Sequence, residues 1–463
     1  TCALPIMPRK KKRVKLKVGR IIIAIIVLIL LILGIYKLLK TTKTILIDKT
    51  YYLASDRENI TLYNIIEDKL EEVKQIPRGT KVSSHDNKTT NEDIKVKYDN
   101  EEYYVNIDNI ANTLEDSVLE KEKYVRTSVT VYKDEIDSYI ASFIKKGNKL
   151  NVLGFDYLNE DGTVNMYKIG YENITGYVYS KYLVDTEEES LANYNENGVY
   201  DTHKDRKYSR ELYGGSAKTL DYYPYEKPNF EDNKLLEHAY AIYLNGSVIG
   251  DVDSYISLAK DSGINAMVVD IKDGALSYKS EVAKKYTMTA YENSLNSMED
   301  FKNAIKKIKD AGFYAIGRIV VFNDSHYGAD HKDECISSRV SNRTWPSAYS
   351  RGAWEYNVML AKEAVKEMGF NEIQFDYVRF PEDAYRMSTS SSTDFKNKYN
   401  EEKAEAIQNF IFYAADEIHK VNAYFSVDVF GECSGTYVTS YGQYWPAISN
   451  IVDAISAMPY TDH

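Results

Sequence analysis

The chain's clearest chemical signal is a set of charged residues that recur at one parity inside otherwise apolar segments. Alternate residues of a strand face opposite sides. In Glu372–Val378, Ile373, Phe375 and Tyr377 share one face, and Gln374 and Asp376 share the other. Tyr424–Phe430 repeats this, with Phe425, Val427 and Val429 against Ser426 and Asp428. In Ala266–Ile271 and just beyond, Met267, Val269 and Ile271 oppose Asp270 and Lys272, with Asp273 next. In Tyr314–Phe322, Arg318 shares a face with Ile316 and Val320. Each polar residue falls toward the C-terminal end of its segment. Converging carboxyl groups can do paired acid/base work, one giving a proton and the other taking one or attacking. A structural Asp–Arg–Lys network, with Arg318 neutralising Asp376, is the alternative. Four segments repeating one arrangement favour a site.

These segments need a scaffold, and the surrounding pattern supplies it. From residue 238, candidate strands (Tyr240–Leu244, Ala266–Ile271, Tyr314–Phe322, Glu372–Val378, Tyr424–Phe430, Ile451–Met458) alternate with amphipathic helices such as Glu299–Ala311, Ala353–Met368 and Glu401–Val421. That alternation predicts a parallel α/β fold. Gly263, Gly312 and Gly369 stand just past helix ends, where a left-handed cap is wanted. A doubly wound open sheet is the alternative, but no GxGxxG follows the first strand. Six β/α units fit a (β/α)8 TIM barrel, whose active sites lie at the C-terminal strand ends. The chain stops at Thr461-Asp462-His463, just after the sixth strand, so the barrel is read as C-terminally truncated and this chain as inactive.

The motifs Val269–Gly274, Gly317–Phe322, Asn371–Pro381, Ser426–Gly431 and Met458–Tyr460 resemble those of the glycoside-hydrolase-like TIM-barrel family first defined as a domain of unknown function. The resemblance spans residues 238–463. It implies a barrel related to α-amylase-like hydrolases, acting without a cofactor on cell-wall or extracellular polysaccharide. One carboxyl group must then protonate the leaving oxygen, and a second must attack or activate water. By position in related barrels, Asp376 is the nucleophile or base. Asp428 is the acid, with Glu432 as its rival. The resemblance gives Asp270, Lys272, Asp273 and Arg318 the task of holding sugar hydroxyls or tuning the pair. Tyr377, Arg379, Trp445 and Tyr460 would line the cleft, while Trp345 and Trp354 pack. A non-catalytic wall- or glycan-binding protein is the competing reading. Binding alone, however, would be served by aromatics and amides. No GxSxG elbow supports serine chemistry. His326 and His331, with Asp324, Asp330 and Asp333, read as an acidic loop, and no metal is expected.

Residues 49–186 read as short strands in two copies, 49–113 and 122–186. Ile60–Tyr63 matches Val129–Tyr132, Arg78–Val82 matches Lys146–Leu150, and Tyr104-Val105 matches Tyr177-Val178. The closing Gly-Tyr-Val-Tyr-x-x-Tyr-Leu of the second copy resembles bacterial SH3-like domains, implying small barrels that bind peptidoglycan or act as spacers. Residues 187–235, acidic and polar, read as a linker.

Charge is split along the chain. Residues 1–43 hold eleven Lys or Arg and no acid, leaving 47 basic and 69 acidic residues beyond them. An acidic body excludes nucleic acid as the natural partner. The basic residues 1–20 precede Ile21–Tyr36, sixteen uncharged residues, which extend to Leu39 if Lys37 snorkels. No small-residue cleavage site follows, so 21–39 reads as a signal anchor in the lipid bilayer. The expectation is a single-pass cell-membrane protein with its N-terminus inside and its domains outside. Met7 is a candidate start. Cys2, Cys335 and Cys433, far apart, exclude a disulfide framework and a cysteine zinc site.

Overall fold

The computed structural model describes residues 49–459 except 68, 85–91, 193, 196–197, 200–210 and 436. The chain divides into two compact units, Thr1–Glu120 with Leu158–Thr163, and Lys121–Tyr157 with Val164–His463.

The expectation of a membrane anchor is corrected. Among the described residues no helix is long and apolar enough to cross a membrane. Residues 21–39, on which the anchor and the single-pass localisation rested, lie outside the described residues. Their uncharged run is also shorter than the ~20 residues a span requires. Among the described residues the fold is two β modules and a six-stranded parallel half-barrel, with no helix able to cross a membrane.

Each β module is a seven-stranded sheet, and numbering the strands within each gives the same order, 3-2-6-5-4-1-7. The repeat in sequence reappears as a repeat in topology. Gly79 and Gly147, matched in sequence, both sit in the turn before strand four with φ of +76° and +86°. Both donate their N–H to strand one, at Leu53 and Val125. A left-handed turn at one place in both copies calls for glycine.

The half-barrel comprises β1 (Ala241–Leu244), α1 (Val252–Lys260), β2 (Ala266–Asp273), α2 (Met298–Asp310), β3 (Tyr314–Val320), α3 (Arg351–Met368), β4 (Glu372–Asp376), α4 (Lys403–His419), β5 (Tyr424–Phe430), α5 (Trp445–Ser449) and β6 (Ala454–Met458). The strands pair in sequence order and all in parallel. Gly263, Gly312 and Gly369 take φ of +74°, +90° and +72° at the helix ends where caps were expected. One face of the sheet packs under helices. Phe375 of β4 stacks on Phe410 of α4 at 5.7 Å and meets Phe425 of β5 edge-on at 5.1 Å. Trp354 of α3 reaches the same Phe410 at 5.5 Å. Both expected packing tryptophans, Trp345 and Trp354, are buried. With the apolar parity committed to this core, the opposite parity faces the barrel axis.

The second β module packs on the barrel helices. Tyr413 of α4 donates to the Ser138 carbonyl at 2.7 Å, Lys181 pairs with Asp416 at 2.6 Å, and Ser128 donates to Glu405 at 2.9 Å. Part of the expected linker is likewise packed. Leu220 and Tyr222 join Ala404, Val438, Tyr444 and Ala447 in one core. The Asn233 amide donates to the carbonyls of Asn371 and Asn422, which lead into β4 and β5.

Candidate active site

The inward parity assembles around one guanidinium. Arg318 of β3 donates through Nη1 to Asp270 Oδ1 at 2.7 Å and Asp273 Oδ2 at 3.2 Å, and through Nη2 to Asp376 Oδ2 at 2.6 Å. Its Nε lies 4.0 Å from Asp428 Oδ2. Parallel register accounts for the convergence, because Asp270 pairs with Arg318 across β2–β3, and Phe375 pairs with Val427 across β4–β5. Asp376 and Asp428, each one residue further on, therefore stand side by side at the C-terminal strand ends.

Charge does not balance here. Asp270, Asp376 and Asp428 are buried at 2%, 5% and 8% exposure, and one arginine serves all three. Burial would lower the Arg318 value, but Asp376 and Asp270 outweigh it and hold the guanidinium above its ordinary range. Burial first, then the neighbouring Asp376 charge, push the Asp428 carboxyl up to about 8, against opposing contributions from Arg318 and Ser456. Burial also raises Asp270, opposed by hydrogen bonds from Tyr243 and Arg318. Asp428 thus keeps its proton at neutral pH beside an arginine-paired Asp376. That difference between neighbouring carboxyl groups is what acid/base assignment requires.

The backbone at Asp376 is also unusual. β4 ends there, and Tyr377 takes φ of +54°, left-handed for a bulky residue. Its N–H donates to Asp376 Oδ1 at 2.6 Å. Such backbone strain clusters at functional sites.

Beneath this layer lies a second polar one that the sequence reading missed. Glu372, also on the inward parity of β4, accepts from Ser426 at 2.5 Å and Tyr314 at 3.2 Å. Burial raises its carboxyl. Tyr243 was missed as well. Its hydroxyl donates to Asp270, and its ring lies 5.6 Å from the Arg318 guanidinium.

Three expected site residues stand elsewhere. Lys272 is turned away, because a register shift between Asp270 and Lys272 moves the latter opposite Ile319 of β3. A bulge inverts parity past it. Lys272 instead pairs with Asp324 at 2.6 Å, donates to Asn357 of α3 at 2.7 Å and lies 4.8 Å from the Tyr356 ring. Arg379 is 2% exposed rather than lining a cleft. It donates to Glu382 at 2.9 Å and lies 4.6 Å from the Tyr377 ring and 4.4 Å from Phe430. Glu432 is exposed, holding Tyr437 at 2.6 Å and Tyr441 at 3.1 Å. Trp445 opens α5 and is half-buried there. Tyr460 lies outside the described residues. Tyr377, half-buried, borders the site directly.

Among the described residues no group of three or more His, Cys, Asp or Glu is placed to hold a metal ion. Asp324 serves Lys272 and the N–H of Tyr327, and His331 Nε2 contacts the Tyr286 carbonyl at 2.7 Å.

Residues 241–463 match the family described as "DUF4015: Putative glycosyl hydrolase domain". No curated protein matches the chain. Among solved structures, a hypothetical protein from Ruminiclostridium thermocellum ATCC 27405 is similar at 30% identity and TM-score 0.34, over 41% of this chain and 97% of that one. The PgaB (BpsB) glycoside hydrolase domain from Bordetella bronchiseptica is similar at 12% identity and TM-score 0.36, over 47% and 73%. The C-terminal domain of a putative chitinase from Desulfitobacterium hafniense DCB-2 is similar at 13% identity and TM-score 0.32, over 49% and 55%.

Proposed function

We propose that the half-barrel belongs to a glycoside hydrolase that cleaves cell-wall or extracellular polysaccharide with Asp428 as general acid and Asp376 as nucleophile or base. The observation that carries this is the shared arginine. A closed structural network would match each buried carboxylate with a cation, because an unpaired buried charge is expensive. Here three buried carboxyl groups face one guanidinium, and Asp428 at about 8 retains its proton. A protonated carboxyl beside an ion-paired one is the inventory that glycosidic cleavage needs.

In this reading Asp428 gives its proton to the glycosidic oxygen as the C–O bond breaks. Asp376 attacks the sugar carbon or takes a proton from attacking water. Arg318 orients Asp376, and Asp270 and Asp273 hold Arg318 in place or accept from sugar hydroxyls. Tyr243 fixes Asp270. The two β modules, read as SH3-like, act as wall-polymer binders or spacers. The test is a screen of the full-length protein against defined polysaccharides for new reducing ends, with Asp376→Asn in parallel. Cleavage by the parent and its loss in the variant support the reading. Equal cleavage by both removes Asp376 from the mechanism.

A further inference from the structure

A second charge-imbalanced cluster lies at the same end of the half-barrel, with the sign reversed. The loop between β3 and α3 and the loop between β4 and α4 enclose a hollow of about 730 Å³, lined by Arg339, Val340, Ser341, Asn342, Arg343, Glu382, Asp383 and Arg386. The two loops are laced together. Ser337 and Asp394 exchange backbone hydrogen bonds at 3.0 and 2.8 Å, Ser338 and Thr393 hydroxyls meet at 2.7 Å, and Arg386 donates to the Val340 carbonyl.

The cations outnumber the acids. Glu382 is shared by Arg379 at 2.9 Å and Arg343 at 3.5 Å, and Asp383 is paired with Arg386 at 3.3 Å. Arg339 makes no side-chain ion pair among the described residues, and it is exposed. Four guanidiniums therefore meet two carboxylates, in a chain whose net charge is −11. The choice of arginine over lysine matters, since its planar fork matches the two oxygens of a carboxylate or phosphate.

The hollow is tied to the catalytic layer through few side chains. Glu382 holds Arg379, whose guanidinium lies 4.6 Å from the Tyr377 ring, and Tyr377 directly follows Asp376. Resting on the reading of Asp376 and Asp428 as the cleavage site, we propose that this hollow is a subsite for an anionic group on the glycan, so that the substrate is an acidic polysaccharide. A carboxylate on a sugar and a phosphate between sugars share the chemistry that three exposed arginines recognise.

The experiment measures binding of the full-length protein to three probes: a polyuronate, a polyol-phosphate polymer, and the polyuronate after reduction of its carboxyl groups to alcohols. Variants are Arg339→Ala with Arg343→Ala, and Arg339→Lys alone. The parent is expected to bind at least one anionic polymer about tenfold or more tighter than the reduced polymer, weakening with added salt. The double variant loses that preference while its affinity for the neutral polymer is unchanged. Arg339→Lys keeps the salt dependence but loses part of the affinity. Whichever anionic polymer is preferred identifies carboxylate or phosphate as the source. Equal binding of charged and reduced polymers overturns the proposal, as does a preference that survives the double variant. Arginine-dependent binding without cleavage of any polymer keeps the subsite and removes the hydrolase reading. Cleavage of the neutral polymer with no charge preference does the reverse.

Discussion

Two buried charge clusters sit on opposite faces of one sheet, two residues apart along β2. On the outer face, Lys272 meets one carboxylate, Asp324, and one amide, Asn357, and its ammonium is enclosed. Cation and anion match, both side chains are under 5% exposed, and no open face remains for a ligand. On the inner face, one arginine divides itself among Asp270, Asp273 and Asp376, with Asp428 at the limit of its reach. The balanced pair fixes β2 against α3. The imbalanced one leaves a proton on Asp428 and an arginine-held carboxylate beside it. Balance marks structure and imbalance marks chemistry, so substitutions in the two clusters should part company.

The largest expected effect is on turnover. Asp376→Asn lowers the hydrolytic rate of the full-length protein by about 10³-fold or more, read as reducing ends released. Its melting temperature stays close to the parent's, because Arg318 still holds Asp270 and Asp273. Unfolding with intact specific activity would make this cluster structural. Next comes Lys272→Met, which strands Asp324 and costs about 3–5 kcal/mol in denaturant unfolding. The rate per folded molecule is unchanged. A stable but inactive Lys272→Met protein would erase the distinction between the two faces.

Asp428→Asn should reshape pH dependence. The folded value near 8 lies above the ~3.9 of an unfolded aspartate, so the folded chain keeps a proton the unfolded chain has released. Stability from this group therefore falls as pH rises from about 4 to about 8. The variant removes that slope. Its melting temperature exceeds the parent's at pH 8, and the gap closes toward pH 4. A constant gap across this range would mean Asp428 is not the group responsible. The smallest effect is expected at Glu432→Gln, within about threefold of the parent rate, because Glu432 is exposed and serves Tyr437 and Tyr441. A loss as deep as that of Asp376→Asn would move the acid role to Glu432.

The inner cluster was legible because period two is written directly into residue order. Asp270, Arg318, Asp376 and Asp428 each break an apolar alternation, and parallel register does the rest. Glu372 obeys the same parity as Gln374 and Asp376, so it could have been placed on the inner face from sequence. Lys272 could not, since Val269-Asp270-Ile271-Lys272 reads as regular alternation and the bulge leaves no mark in residue type. Arg379 was misplaced for a related reason. β4 ends at Asp376 rather than Val378, and the left-handed Tyr377 redirects the chain. Tyr243 gave no signal beyond one hydroxyl in an apolar edge strand. The repeated strand order of the β modules was foreshadowed by their matched segments, whereas the anchor at 21–39 rested on an apolar run of only sixteen residues, its basic flank and a missing cleavage site.

The central claim is that burial, reinforced by the Asp376 charge beside it, leaves Asp428 protonated at neutral pH although Arg318 is within reach. Difference infrared spectroscopy over a pH titration reads the C=O stretch of protonated carboxyl groups without any substrate. The account predicts a band that persists through pH 7, disappears with a midpoint near 8, and is missing in Asp428→Asn. A parent protein whose protonated-carboxyl signal is gone by about pH 6, near the upper end of ordinary carboxylates, would contradict it.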